Sequence, residues 1–316
     1  MIGPVHEELL IGLEGFTATR FSDDNLAAAR EVRRDAVLPI GPLPGVIYEE
    51  RHIPGPTGAP QVRVLVYQPE AEGEDRPAIL HFHGGGLIVG LPEMGHERNG
   101  QLARELNCVV VSVDYRKAPE APFPAGPEDG WAALSWLRAN AQDLGVDPSR
   151  WALLGESAGG CMAATMAFMA RDRAGPAPLL QVLVYPMLDD RSGQDPVPAE
   201  AECLVWTDTS NRYGWSAYLD QAAGGADVPV KAVPARRDDL AGLAPAWIGV
   251  GSIDLFAQEN LDYARRLLAA GVDCEFLMVP GAYHAFQKLV PDAPISLSFE
   301  ANYQVALRRA LTRAPG

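Results

Sequence analysis

From Ala78 onward the chain alternates short apolar runs with longer helical ones, and this alternation constrains the fold more than any other feature. The apolar runs are 78–83, 108–114, 151–155, 179–185, 246–251 and 274–279. Each is nearly continuous in hydrophobic residues, the pattern of a parallel strand covered on both faces. Helical segments intervene at 96–106, 128–142, 158–171 and 258–270. In the last, Leu261, Ala264, Arg265 and Leu268 recur at three-to-four spacing, which predicts a one-sided apolar stripe. A βαβα order of this kind builds a doubly wound sheet with helices on both faces. A length of 316 residues is ordinary for one large domain of that class.

The chain before Ala78 reads differently. Segments 46–53 and 61–68 look like two antiparallel strands, the second alternating Val62, Val64 and Val66, with the Gly/Pro-rich stretch 54–60 between them. Residues 1–45 read as helices plus a linker. Asp24 is placed to cap a helix over 25–34, and Pro39, Pro42 and Pro44 end it. Residues 187–245 break the βα rhythm. They are rich in Asp, Pro and Gly, with Trp206, Trp215 and Tyr218 interleaved, and an irregular insertion of that length predicts a lid.

Two glycine motifs carry the chemistry. Gly155-Glu156-Ser157-Ala158-Gly159 lies between an apolar strand and a helix of small residues. A sharp strand-to-helix turn there would force Ser157 into a strained conformation that projects its hydroxyl above the sheet. His83-Gly84-Gly85-Gly86 follows the strand 78–83 directly. Successive glycines can turn backbone N–H groups toward one point, where they would stabilise a tetrahedral oxyanion. A phosphate-binding reading fails because the Lys-Ser/Thr ending of a P-loop is missing.

A serine nucleophile needs a base. Of the six histidines, His284 alone follows Ser157, in the loop after the strand 274–279. The acid that orients it comes from Asp254, which follows the strand 246–251, or from Asp189 or Asp190 after the previous strand. His81 and His83 form a His-x-His pair, but no nearby carboxylate completes a metal site, so no metal is expected.

Composition narrows the alternatives. The net charge of −15 comes from 41 acidic and 26 basic residues with no basic cluster, which argues against nucleic acid and anionic membrane as partners. Cys108, Cys161, Cys203 and Cys274 are far apart and form no C-x-x-C pair. Residues 1–13 lack the basic and apolar regions of a signal peptide, and no apolar run is long enough to span a bilayer. The reading is a soluble, cytoplasmic protein, with a homodimer as a candidate assembly.

Taken together, these motifs resemble the hormone-sensitive-lipase-like branch of the α/β-hydrolases, the bacterial esterases often called family IV. The resemblance spans most of residues 77–290. It rests on His83-Gly84-Gly85-Gly86, on Asp114-Tyr115-Arg116-Lys117-Ala118-Pro119-Glu120 with Phe123-Pro124-Ala125, and on Gly155-Glu156-Ser157-Ala158-Gly159-Gly160. It continues through Tyr185-Pro186, Ser252-Ile253-Asp254-Leu255 and His284-Ala285-Phe286. The resemblance implies an α/β-hydrolase fold, a mostly parallel eight-stranded sheet flanked by helices. Residues 1–45 would form N-terminal cap helices, 46–316 the catalytic domain, and 187–235 a further part of the cap.

The resemblance also implies Ser157 as nucleophile, Asp254 as acid, His284 as base, and the N–H groups of Gly85, Gly86 and Ala158 as oxyanion hole. Leu87, Trp215 and Phe286 are read as lining the substrate pocket. Glu156, Leu87, Leu255 and Ala285 depart from the residues usual in the family, and all four flank the site. The expected activity is hydrolysis of short- to medium-chain acyl or aryl esters without metal or organic cofactor. A small-molecule receptor, or a lyase or transferase on the same fold, stands as the alternative.

Overall fold

In the computed structural model, which describes residues 3–195 and 203–312, eight strands form one sheet. They are β1 (Val46–Ile53), β2 (Val62–Pro69), β3 (Arg76–Phe82), β4 (Val109–Asp114), β5 (Val146–Glu156), β6 (Gln181–Val184), β7 (Ala246–Gly251) and β8 (Cys274–Val279). Their spatial order is β1-β2-β4-β3-β5-β6-β7-β8. β1 pairs antiparallel with β2, and β2 antiparallel with β4, while every other pairing is parallel. β3, β4, β6, β7 and the second half of β5 are almost wholly buried, as their continuous apolar sequence requires.

β2 shows how the two faces are filled. Val62, Val64 and Val66 join one hydrophobic cluster, and Leu65 and Tyr67 join the other on the opposite face. Both faces are therefore covered, where the Val alternation alone suggested one. The helices are α1 (Leu26–Val37), α2 (His96–Leu106), α3 (Ala125–Ala139), α4 (Ala158–Asp172), α5 (Asp208–Leu219), α6 (Ala257–Ala269), α7 (Phe286–Leu289) and α8 (Pro294–Leu311). α4 is buried on nearly every side, which explains its run of Ala, Gly and Cys.

Several expectations are corrected. Asp24 does not cap α1. Asn25 stands at that position and accepts from the Ser22 N–H through its side chain, holding the entry turn instead. The stripe expected on α6 points the wrong way: Leu261 and Leu268 are exposed, and Asn260, Tyr263, Ala264 and Leu267 face the core. The 18-residue helix α8 has no counterpart among the sequence expectations, because its apolar residues are diluted by Ser, Glu and Arg. It covers β7 with Phe299, Tyr303 and Leu307, and Trp247 of β7 packs edge-on against Phe299 and Tyr303.

The N-terminal segment and the insertion meet. Tyr213 of α5 donates to Asp23 at 2.7 Å, and Ser210 donates to the Thr19 carbonyl at 2.7 Å. α5 also packs on the glycine loop, since a Cβ on Gly214 would lie 2.5 Å from the Gly86 carbonyl oxygen. Of the segments expected to form the cap, residues 1–2 and 196–202 lie outside the described residues, as do 313–316 at the other end. Among the described residues no helix is long and apolar enough to cross a membrane.

Candidate active site

The sheet brings the two glycine motifs side by side. β3 and β5 are adjacent and in register, with Phe82 opposite Gly155. The chain therefore leaves both strands at the same edge, where a doubly wound sheet collects its ligands. Ser157 sits between β5 and α4 with φ +55° and ψ −119°, a conformation unfavourable for any residue with a side chain. Four main-chain hydrogen bonds hold it there. Its N–H donates to Val184, and its carbonyl accepts from Gly160, Cys161 and Met187. The flanking glycines leave no alternative. A Cβ on Gly155 would lie 2.0 Å from the Gly159 carbonyl, and one on Gly159 would lie 2.0 Å from that of Phe82.

His284 arrives from the loop after β8. Its Nε2 lies 3.0 Å from Ser157 Oγ, and its Nδ1 lies 2.8 Å from Asp254 Oδ2. The other carboxylate oxygen, Oδ1, accepts from the Phe256 N–H at 2.9 Å. All three side chains are buried. Asp254 can accept the Nδ1 proton and leave Nε2 free to take the one on Ser157. The loops carrying acid and base are stitched together. The Gly281 N–H donates to Ser252 Oγ at 2.8 Å, and the Ile253 N–H to the Ala282 carbonyl at 3.2 Å. The His284 ring is also wedged edge-on between Tyr185 and Phe256. Asp189, the rival acid, is taken up by Arg191 at 2.7 Å, and Asp190 by Arg236 at 2.6 Å.

The glycine loop is supported from beneath. Tyr115 donates to the His83 carbonyl at 2.8 Å and its ring stacks on the His83 imidazole. The Ala118 N–H donates to the Leu87 carbonyl, and Arg30 Nε to that of Ile88. Much of the Asp114–Glu120 motif thus holds the loop that carries Gly85 and Gly86. Burial lowers the His83 imidazole to about 3, so the ring is neutral.

Glu156, next to the nucleophile, is fully buried and ion-paired with Arg98. Arg98 also donates to Nε2 of His81 at 2.8 Å, and His81 Nδ1 can then donate to Ser112 Oγ at 2.7 Å. Desolvation, and then the charge of Arg98, hold His81 well below its usual range. The His-x-His pair is therefore spent inside the sheet. Among the described residues no three His, Cys, Asp or Glu side chains are grouped to hold a metal ion.

A cavity of about 510 Å³ opens above Ser157. Gly84, Gly85, Gly86, Tyr185 and His284 line its floor, with Thr19, Arg33, Val205 and Trp206 among the residues around it. Three expected pocket residues are not among its walls. Leu87 is 1% exposed, and its positive φ of 68° belongs to a turn that sends the side chain into the core. Trp215 packs edge-on against Tyr218 within α5, and Phe286 packs against Phe299. Phe16, Tyr185 and Trp206 are the aromatic walls instead. Trp206 lies directly on the glycine loop, where a Cβ on Gly86 (φ +58°) would come within 2.0 Å of its ring. Its place in an aromatic-rich insertion was the available signal. Arg33 and Lys288 gave none.

Comparison with known proteins agrees with this geometry. The profile of a family described as having the alpha/beta hydrolase fold matches residues 79–288. Carboxylesterase NlhH of Mycobacterium tuberculosis is 36% identical, covering 98% of this chain and 96% of its own. Esterase LipI of the same organism is 34% identical over 92% of this chain and 90% of its own. The solved structure of a bacterial heroin esterase superposes with a TM-score of 0.90 at 34% identity, covering 98% of both chains. Fold, motifs and relatives agree: the chain belongs to the α/β-hydrolase family, in its hormone-sensitive-lipase-like branch of bacterial esterases.

Proposed function

We propose that this chain is a serine carboxylesterase, with Ser157 as nucleophile, His284 as general base and Asp254 as the acid that orients it. The observation that carries the reading is the unbroken relay from Asp254 through His284 to Ser157 at the floor of a substrate-sized cavity. His284 takes the Ser157 proton as Oγ attacks the ester carbonyl. The N–H groups of Gly85, Gly86 and Ala158 receive the negative charge on the carbonyl oxygen. The tetrahedral intermediate collapses to an acyl-serine, and His284 gives its proton to the departing alkoxide. A water deprotonated by His284 then attacks the acyl carbon, and as the carboxylic acid leaves, His284 returns that proton to Ser157 Oγ. Each step leaves the protein unchanged after one turnover, without metal or organic cofactor.

The described parts of 1–45 and 187–235 form the cap in this reading, supported by the positions of Thr19, Arg33, Val205 and Trp206 around the cavity. A volume of 510 Å³ lies within the range of about 300–1,000 Å³ usual for small-molecule sites, which suits short- to medium-chain acyl or aryl esters. Buried thiols at Cys108 and Cys161 suit a reducing, cytoplasmic setting. The homodimer is proposed along the sheet edge at β8. The test is a series of para-nitrophenyl esters of rising acyl length. The account expects kcat/KM to peak at short to medium chains and to collapse for long ones. A flat or rising profile would overturn the substrate class.

A further inference from the structure

The catalytic cavity carries charge opposite to that of the chain. The whole protein has a net charge of −15, which repels anions. Arg33, Glu156 and Lys288 are the Asp, Glu, Lys and Arg side chains that line the cavity. Glu156 is already neutralised by Arg98. Arg33 and Lys288 have no carboxylate at ion-pair distance among the described residues. Elsewhere Arg63 is matched by Glu93 and Asp114, and Arg236 by Asp190. Two unmatched cations in one cavity leave a deficit that a ligand can fill.

The two cations come from different covering elements. Arg33 projects from α1, its guanidinium 5.2 Å from the centre of the Phe21 ring. Phe21 in turn packs on Trp206, which lies on Gly86, so the guanidinium is referenced to the glycine loop. Lys288 belongs to α7, just beyond His284. With Met94 it lines both this cavity and the neighbouring one of about 900 Å³, so it stands where the two adjoin. Desolvation, and then the charge of Arg98, lower its ammonium to about 7, and Glu300 partly offsets this. Burial lowers Arg33 too. A bound anion would offset that cost for both, and a guanidinium fork matches a planar carboxylate.

Resting on the esterase reading above, we infer that the substrate is an anionic ester, a hemiester of a dicarboxylic acid, whose free carboxylate is bound by Arg33 and Lys288. A neutral ester of equal length would leave both cations unmatched.

The test compares para-nitrophenyl hemiglutarate with neutral para-nitrophenyl hexanoate, reading the ratio of the two kcat/KM values. In the wild-type protein the ratio should favour the anionic ester and fall as salt is raised, since screening weakens a half-exposed pair. Lys288→Met and Arg33→Gln should each lower the ratio about tenfold, the scale of one hydrogen bond to a charged group. Lys288→Arg should keep it. A wild-type ratio that neither favours the anion nor responds to salt would overturn the inference, as would a ratio the two neutralising variants leave unmoved. In those cases hexanoate is still hydrolysed and the esterase reading stands. Failure to hydrolyse either ester would bring down the esterase reading and this inference with it.

Discussion

The phenol of Tyr283 donates a 3.0 Å hydrogen bond to the carbonyl of Leu9, so the short 3₁₀ segment Glu7–Leu13 holds the residue beside His284. The same segment is tied again by the His6 N–H to the Gly281 carbonyl at 2.9 Å and by Glu8 accepting from the Ile295 N–H. The N-terminus thereby positions the base from outside the sheet. Tyr283→Phe leaves the Leu9 carbonyl without that donor and should cost about 1–2 kcal/mol. We expect a Tm lower by several degrees and a kcat reduced several-fold at nearly constant KM. Calorimetry and steady-state kinetics on one preparation check both, and an unchanged kcat would free the loop from this control.

Gly86 and Trp206 should be coupled. Gly86→Ala drives a methyl into the Trp206 ring and displaces the loop, and kcat should fall about 10²-fold, the scale of losing one oxyanion donor. Trp206→Ala in the same chain removes the obstruction and should return about tenfold or more, a coupling expected of residues in contact. A double variant no better than Gly86→Ala would mean that the glycine is required for another reason.

The two acids can be ranked. Asp254→Asn favours the wrong imidazole tautomer and should lower kcat by about 10²–10⁴-fold. Asp189, held by Arg191 in the loop after β6, should cost under about tenfold as Asn. Kinetics of both variants at one pH decide this, and the reverse order would move the acid to the earlier strand.

His81 and His83 set the acid side of stability. Both are buried and neutral, with folded-state values depressed below the usual 6.5. The unfolded chain therefore binds protons first as pH falls. Stability should be level above about pH 6.5 and should decline below it, by up to about 1.4 kcal/mol per pH unit for each ring. For His83 the decline would continue to about 3. Urea titrations at pH 7 and pH 5 check the sign, and equal stability at both would show that neither ring resists protonation.

The sequence was most legible where one physical requirement dominated. Apolar runs located β7 and β8 to the residue; β7 is covered on both faces and tolerates little else, while the edge strand β8 is only half-buried. Gly155 and Gly159 were legible because backbone crowding excludes every other residue there. What stayed hidden depended on direction. Leu87 follows the glycines in sequence, but a positive φ buries it, so Leu87→Phe should overpack the core by about 1–3 kcal/mol rather than narrow the pocket. The α6 stripe failed because Asn260 and Glu259 satisfy buried backbone groups. Asn260 donates to Pro186, and Glu259 accepts from Leu188. Polar residues therefore face the core there. Arg33 and Lys288 were invisible because only the fold brings α1 and α7 to one cavity.

The central claim is that Ser157 is the group that becomes acylated. The direct measurement is mass spectrometry of the protein after treatment with a fluorophosphonate, followed by peptide mapping. The account predicts one phosphonyl group per chain, on the peptide containing Ser157, with loss of ester hydrolysis in step with labelling and no labelling of Ser157→Ala. An adduct on another residue, or a fully labelled protein that still turns over ester, would contradict it.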